Sequence, residues 1–381
     1  MRIAVLSRNF ATTGGGAERY SIAIVEQLAA RHEVHVFAQN IVHRFPGVTY
    51  HTIGFHIRRP RWINQLGFAI ATWRATRRGF DVVHSHENIW HGNVQTVHVL
   101  PVGYSLFHGR TGLALYKQYL KVATSPRLMT YLWLEKARYT IANKRRVVVA
   151  SDALRDAMLQ AYPGVAGAME VITPGVAMPD ALTTSEARKA ARAELGLPQH
   201  GKCLLFVGND YLKKGLPSLI QALESLGPDV FLAVVSNPAH RETVAKLAAS
   251  AGLAQRVFFL GAQQQMEVAY RAADCLVHPT LQDSYGMVVL EAMAYGLPVV
   301  VSGLPYCGIA GDLTHRQQAW LLKNPRNPGE LAEALRAVLG DAQLASSLVA
   351  QGLAFAQAHS WEHAAAQHEQ LFRAIGSGAG G

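Results

Sequence analysis

The sequence predicts an α/β protein built from two doubly wound parallel sheets. Short apolar strands alternate with helical patterns from one end of the 381 residues to the other, and such alternation folds as parallel sheets with helices on both faces. The strand segments are rich in Val, Ile and Leu and mostly unbroken by polar residues, as strands covered on both faces are. About a dozen such strands are more naturally two sheets than one. The stretch "TPGVAMPDALTTSEARK" at 173–189, rich in Pro, Gly, Ser and Thr, supplies the boundary.

In chain order, the first half reads as strands "RIAVLS" (2–7), "EVHVFA" (33–38), "DVVHSH" (81–86), "NVQTVHV" (93–99), "VVVAS" (147–151) and "MEVIT" (169–173). The second half reads as "CLLFVG" (203–208), "VFLAVVS" (230–236), "VFFLG" (257–261), "CLVHP" (275–279), "PVVVSG" (298–303) and "AWLL" (319–322). Helical patterns at 16–31, 151–161, 215–226, 240–252 and 328–339 separate them. The expected organisation is an N-terminal domain over 1–174, a second domain over 175–355, and a helix over 356–375 crossing back to the first. The segment 376–381, "GSGAGG", is expected to be a flexible tail.

Half of the residues are hydrophobic and only 16% are charged, which is ample for two cores and unlike a disordered chain. The formal net charge is +10, but it is unevenly spread. Residues 1–174 hold 21 Lys and Arg against 9 Asp and Glu, and the remainder holds 15 against 17. The N-terminal half therefore carries the whole positive excess, which points to an anionic partner there. No apolar run reaches the roughly 18–20 residues of a membrane span, and "MRIAVLSRNF" lacks the apolar core of a signal peptide. The scattered Cys203, Cys275 and Cys307 read as buried reduced thiols, so a cytoplasmic location is expected.

Ligands of open α/β sheets bind outside the carboxyl ends of the strands, which singles out three loops. "SRNFATTGGGAERYS" follows the first strand and opens a helix. Thr13 to Gly16 allow close backbone approach, and the helix start offers N–H groups to an anion. Its spacing is not G-x-G-x-x-G and no acid follows the second strand, so a dinucleotide cofactor is not expected. "FVGNDYLKKGLPS" places Lys213 and Lys214 before Gly215 and a helix, where paired cations grip a diphosphate or simply face water. "HPTLQDSYGMVVLEAMAYGLPVVVSG" (278–303) holds Asp283 in a loop, Gly286 at a helix start and Glu291 in the second turn. Between the two acids lie the N–H groups of Gly286, Met287 and Val288, a seat for phosphate. Hydroxyl groups on either side of it would meet an acid. That arrangement suits a nucleotide diphosphate sugar; the plain alternative is a helix-capping Asp and a surface Glu. His84 and His86 end one strand and His98 another, at the mouth of the first sheet. No grouping has metal-ligand spacing such as H-E-x-x-H, so no bound metal is expected.

Together these segments carry a resemblance. "GGGAER" (14–19), "DVVHSH" (81–86), "TVH" (96–98), "VVVASDALRDAM" (147–158), "VITPGV" (171–176), "FVGNDYLKKGL" (206–216), "QDSYGMVVLEAMAYGLPVV" (282–300) and "HSWEHAA" (359–365) resemble, in order and spacing, the retaining glycosyltransferases of family 4. The subgroup most similar is the lipopolysaccharide core hexosyltransferases, whose loop has the length of "GNDYLKKG". The resemblance implies a GT-B fold, two Rossmann-like domains facing a central cleft, and covers the chain to about residue 375. It implies a nucleotide diphosphate sugar, UDP-linked, as co-substrate, with no bound cofactor and no metal.

It also implies roles. Asp283 and Glu291 stand where the family has Glu, seven residues, Glu; Asp283 is the departure, one methylene short. By the resemblance Asp283 and His98 meet the donor sugar, Lys214 with Lys213 the diphosphate, and Glu291 the ribose. Gly15 and Gly16 face the diphosphate, and Asn209, Ser284, Tyr285, Gly286, Met287 and Val288 line the donor. Glu18, His84 and His86 are candidates on the acceptor side. The implied chemistry is front-face transfer, with the leaving phosphate taking the acceptor proton and no carboxylate nucleophile. The implied acceptor is a glycan or a lipid-linked glycan, and the implied pathway is lipopolysaccharide or other cell-envelope polysaccharide biosynthesis. Basic, aromatic-flanked segments at 55–80 and 104–139 add an expected peripheral contact with the anionic cytoplasmic face of the inner membrane. No nucleic-acid reader motif is present. The alternatives are a GT-B-type sugar-nucleotide epimerase and a non-catalytic anionic-surface-binding protein on the same scaffold.

Overall fold

The structure, a computed structural model, describes residues 1–11, 15–141 and 145–377. The chain divides into two compact units, Met1–Thr173 with Trp361–Gly381, and Pro174–Ser360. Thr13 and Gly14 of the glycine loop, and 378–381 of the expected tail, lie outside the described residues.

The first unit contains strands β1 (Arg2–Leu6), β2 (Asn9–Phe10), β3 (Glu33–Ala38), β4 (Asn40–Ile41), β5 (Val48–Thr52), β6 (Val82–Ser85), β7 (Val94–Val97), β8 (Arg146–Val149) and β9 (Met169–Val171). Its helices are α1 (Gly16–Ala29), α2 (Arg61–Thr76), α3 (Val102–Phe107), α4 (Gly112–Ala123), α5 (Pro126–Tyr139) and α6 (Asp152–Ala161). Seven strands form one parallel sheet in the order β5-β3-β1-β6-β7-β8-β9, and β2 pairs with β4 beside it. The strands read from the sequence appear within a residue or two at each end. That reading omits β5 because "VTYHT" is an edge strand, half polar and only partly buried, with no apolar run to mark it.

The second unit contains α7 (Ser185–Glu194), β10 (Lys202–Val207), α8 (Leu216–Glu224), β11 (Val230–Val235), α9 (Arg241–Ser250), β12 (Val257–Gly261), α10 (Met266–Ala272), β13 (Cys275–His278), α11 (Met287–Ala294), β14 (Val299–Ser302), β15 (Trp320–Leu322), α12 (Pro328–Gly340) and α13 (Ala342–Ala358). Its sheet is parallel, in the order β12-β11-β10-β13-β14-β15. Chain order therefore runs outward from β10 on one side and resumes at β13 on the other. The loops leaving β10 and β13 diverge, and a crevice opens between them. Leu204, Phe206, Leu219, Leu232, Val277 and Leu335 are among the side chains filling the core. Arg192 of α7, 4% exposed, is satisfied there by Asp274 at 2.6 Å and the carbonyl of Ala272 at 2.9 Å. The same Asp274 oxygen accepts the N–H of Cys203, so one buried ion pair registers α7 against both central strands.

The second unit runs to Ser360, beyond the expected end at 355, because α13 continues to Ala358 and Ser360 pairs with Val176. The last helix, α14 (Trp361–Ser377), belongs to the first unit. Its Ala364, Ala365, Leu371 and Phe372 enter the core formed by α1 and the sheet. Beneath it lies a polar layer: His84 Nε2 meets Thr96 Oγ1 at 2.7 Å, and Arg138 of α5 donates to Gln95 at 3.0 Å and to the Thr96 carbonyl at 2.6 Å. His368 Nε2 is 3.4 Å from Tyr20 Oη, and its Nδ1 is 2.8 Å from the Ala364 carbonyl.

Burial, followed by the Arg138 charge and the neighbouring His368, pushes His98 down to about 3; burial takes His368 to about 4. His84 and His86 move the same way, first by burial and then by the surrounding histidines. All four are neutral in the folded protein at pH 7. The unfolded chain binds protons below its histidine pKa of ~6.5, and the folded protein does not. This stabilising contribution is therefore full above that pH and lost as pH falls toward the folded values. The melting temperature is expected to drop as pH falls from 7 to 5, less steeply in His368→Leu than in the parent, even though the variant is less stable at pH 7. Calorimetry across that range checks it; parallel slopes would remove His368 from the titrating layer.

Candidate active site

A glycine in the loop leaving β10 lets it touch the loop leaving β13. Gly215 has φ +77° and caps α8; a Cβ there would lie 1.9 Å from the carbonyl oxygen of Pro279. Gly208 leaves room for the stem of Lys214, which a Cβ would meet at 2.7 Å. The loops are then stitched together by the Lys213 carbonyl, which accepts the N–H of Leu281 at 2.7 Å and the hydroxyl of Thr280 at 3.2 Å.

This contact delivers a lysine to a carboxylate. Lys214 Nζ donates to Asp283 Oδ2 at 2.5 Å, and His278 Nε2 lies 2.9 Å from the same oxygen. Asp283 Oδ1 receives the N–H of Tyr285 at 3.4 Å. The Asp283 backbone is fixed as well, donating to the Tyr306 carbonyl at 2.8 Å and accepting from Gly308 N–H at 3.1 Å. Burial alone would push the Asp283 carboxyl up, but the His278 hydrogen bond and the Lys214 charge outweigh it and hold it well below the usual carboxylate range. The site thus keeps a carboxylate and an ammonium in contact, with 19% and 22% of their side-chain surfaces open.

The neighbouring helix supplies the rest. Gly286, at φ +103°, starts α11, and a Cβ there would press on Cys307 Sγ at 2.8 Å. Met287, Val288 and Ser284 are partly exposed at the helix start, whereas Tyr285 is 3% exposed. Tyr285 is therefore a core residue. Glu291 sits in the second turn and accepts a hydrogen bond from Tyr270 Oη at 2.5 Å. Tyr270, 1% exposed, stacks on Tyr295 with ring centroids 5.3 Å apart, which fixes the direction from which it reaches the carboxylate. Lys213, expected to share the work of Lys214, points away: its side chain is 65% exposed and lies 4.0 Å from Asp210. Asn209 is exposed.

His278, Asp283 and Cys307 bring ligand atoms within 4.8 Å of one another, a grouping that no sequence spacing suggests. The Lys214 ammonium sits on the shared carboxylate oxygen, and its charge opposes a dication there. His278 and Tyr270 are the contributors that sequence reading missed. His278 carried one signal, a polar residue ending an otherwise apolar strand. Tyr270, 21 positions before Glu291, carried none.

In the first unit, Gly15 is the N-cap of α1 and Gly16 its first residue. Glu18 Oε2 accepts the N–H of Gly15 at 2.9 Å, so this acceptor-side candidate also closes the helix start. One turn on, Tyr20 places its ring edge against His98 at 5.1 Å and His86 at 6.1 Å. His86 Nδ1 and His98 Nε2 are 2.9 Å apart, and both residues are partly exposed. His84 differs: it is wholly buried, packed against His368 and Phe372 of α14. Strand alternation carries it to the same face as His86 but beneath the covering helix, so it is not placed to touch an acceptor.

A family model described as glycosyl transferases group 1 matches residues 187–354, and one described as glycosyltransferase family 4 matches residues 14–178. The chain is 30% identical over 329 residues to the D-inositol 3-phosphate glycosyltransferase of Streptomyces avermitilis, covering 79% of this chain and 67% of that protein. It is 27% identical over 384 residues to the protein of the same name from Salinispora arenicola, covering 91% and 84%. With those of Xylanimonas cellulosilytica and Mycolicibacterium gilvum the match spans only 58% and 42% of the relative. Among solved structures, WaaG, a glycosyltransferase involved in lipopolysaccharide biosynthesis, superposes with a TM-score of 0.83 at 20% identity over the whole of both chains. HepE of Anabaena, solved with UDP and glucose, gives 0.75 at 21% identity over 97% of this chain and 98% of its own. By these matches the chain belongs to the glycosyltransferases of group 1 and family 4, and its two parallel-sheet, Rossmann-like units are those of the GT-B fold.

Proposed function

We propose that the protein moves a hexose from a UDP-linked sugar to a glycan or lipid-linked glycan of the cell envelope, with retention of anomeric configuration. The observation that carries this reading is the Lys214–Asp283 pair at the crevice between β10 and β13, next to the start of α11 and followed by Glu291. A sugar nucleotide has a diphosphate for the ammonium and helix N–H groups, hexose hydroxyls for Asp283, and a ribose for Glu291. The diphosphate draws Lys214 from Asp283 and frees carboxylate lone pairs for the sugar. As the bond from the anomeric carbon to the phosphate oxygen breaks, Lys214 and the α11 N–H groups stabilise the charge on the leaving group. The acceptor oxygen bonds to the anomeric carbon on the same face, and its proton passes to that phosphate. No carboxylate acts as nucleophile.

Curated relatives are named for D-inositol 3-phosphate and a structural neighbour for lipopolysaccharide biosynthesis. The acceptor class is therefore tested with both inositol phosphate and extracted lipid-linked glycans against a panel of UDP-, GDP- and ADP-sugars. Sugar release or isomerisation with no acceptor present would favour the epimerase instead.

The basic unit suits a membrane-borne acceptor. In α4 only Gln118 is buried, and Leu113, Tyr116, Tyr119 and Leu120 are between 48% and 68% exposed. Leu113, Tyr116 and Leu120 share one face, flanked by Lys117 and Lys121, and α5 adds Arg127 and an exposed Trp133. Such a surface suits peripheral attachment to the cytoplasmic face of an anionic membrane. Among the described residues no helix is long and apolar enough to cross one.

Three outcomes are expected. Lys214→Ala lowers kcat/KM at least ~100-fold, about 2.7 kcal/mol of transition-state stabilisation, whereas Glu291→Gln mainly raises KM for the donor; full activity in either folded variant refutes the assignment. Asp283→Glu changes the kcat/KM ratio between UDP-glucose and UDP-galactose at least 3-fold in competition assays, and an unchanged ratio removes Asp283 from donor selection. Anionic liposomes sediment the parent at low salt, and Tyr116→Ser with Leu120→Ser cuts that binding at least 5-fold; no sedimentation of the parent would end the membrane reading.

A further inference from the structure

The ends of β6 and β7 carry two polar rungs. The strands are parallel neighbours with His84 opposite Val94, and residues two apart share a face. His84 meets Thr96 at 2.7 Å in the inner rung, and His86 meets His98 at 2.9 Å in the outer one. The outer pair is held firmly: its rings are within 11° of parallel, Tyr20 abuts both, and His84 lies 4.3 Å behind His86.

Burial keeps both imidazoles neutral, so one ring must donate and the other accept. The second nitrogen of His86 decides which. His86 Nε2 is buried and has no hydrogen-bond partner among the described residues. An unpartnered buried N–H is rarer and costlier than an unpartnered lone pair. The His86 proton therefore belongs on Nδ1, where it is used. His98 Nε2 then accepts, and His98 must carry its own proton on Nδ1, opposite to the Nε2–H form a solvated histidine favours.

We propose that His86 is a positioning residue that fixes His98 as the Nδ1–H tautomer, making Nδ1 of His98 a hydrogen-bond donor toward an oxygen of a bound sugar substrate. That the substrate is a sugar rests on the function proposed above; the tautomer does not. In this role His98 is not a general base, because its basic nitrogen is already occupied by His86. His86 itself acts through His98 rather than on the acceptor, the role that its strand-end position alone suggests.

Nitrogen NMR of the full chain with labelled histidine at pH 7.5 tests the tautomer, His98→Gln identifying the resonance. The expected result is a protonated Nδ1 and an unprotonated Nε2 for His98, retained in His86→Asn, whose amide N–H replaces Nδ1–H, and lost in His86→Phe. A His98 protonated on Nε2 in the parent overturns the proposal, whatever the variants do. In transfer assays His86→Asn is expected within about 3-fold of the parent, with kcat reduced ~10-fold or more in His86→Phe and donor KM changed less. Equal activity of the Phe variant overturns the positioning role. A parent with the expected tautomer and no transfer of any sugar counts against the proposed function, not against the tautomer.

Discussion

The contact between Lys214 and Asp283 depends on a topological fact. Two adjacent parallel strands, β10 and β13, send their connections in opposite directions, so no helix covers the space between their ends. Whatever those loops carry is thrown together there. The chain uses the space for opposite charges at 2.5 Å, with His278 completing the carboxylate's environment. The glycines follow from the same constraint. Gly215 stands where the two loops would collide if it carried a Cβ, and Gly208 where a Cβ would block the stem of Lys214. Charge pairing and backbone choice are consequences of one crossing point.

The parallel sheets were legible because their strands are buried on both faces and read as unbroken apolar runs. Edge strand β5 was not, since an edge needs no such run. The two acids of "QDSYGMVVLE" and the lysines of "YLKKG" were also legible, because each follows a recognisable strand, in the loop or the helix start that leaves it. Their pairing was not: Lys214 and Asp283 are 69 positions apart, and only the sheet order makes them neighbours. The divergence of Lys213 from Lys214 was hidden too. Identical adjacent residues part company because one side chain crosses the end of β10 over Gly208 while the other stays with Asp210. Tyr270 reaches Glu291 from α10, and nothing local in either segment announces it.

The first unit reaches a comparable arrangement by different means. There the strand ends carry histidines rather than an ion pair, and α14, from the far end of the chain, closes over them. Uncharged imidazoles tolerate that burial better than charged groups would. They still hold direction, because a neutral imidazole has one donor and one acceptor and its neighbours decide which is which. A buried histidine layer can therefore transmit the orientation of a proton to the surface without moving a charge.

Asp283 brings the physical and familial readings together. The resemblance implies Glu at this position, and Asp is one methylene shorter. The backbone cannot move outward to restore the reach, because it is bridged to Cys307 on both sides, through the Tyr306 carbonyl and the Gly308 N–H. The shorter arm leaves the carboxylate drawn in between Lys214 and His278, where the lysine neutralises it and the histidine orients it. A longer side chain from the same fixed backbone would carry the carboxylate beyond that contact. The short side chain and the closeness of the ion pair are thus the same feature. Any sugar that Asp283 holds must be one whose hydroxyls come to the carboxylate, since the carboxylate has little freedom to go to them.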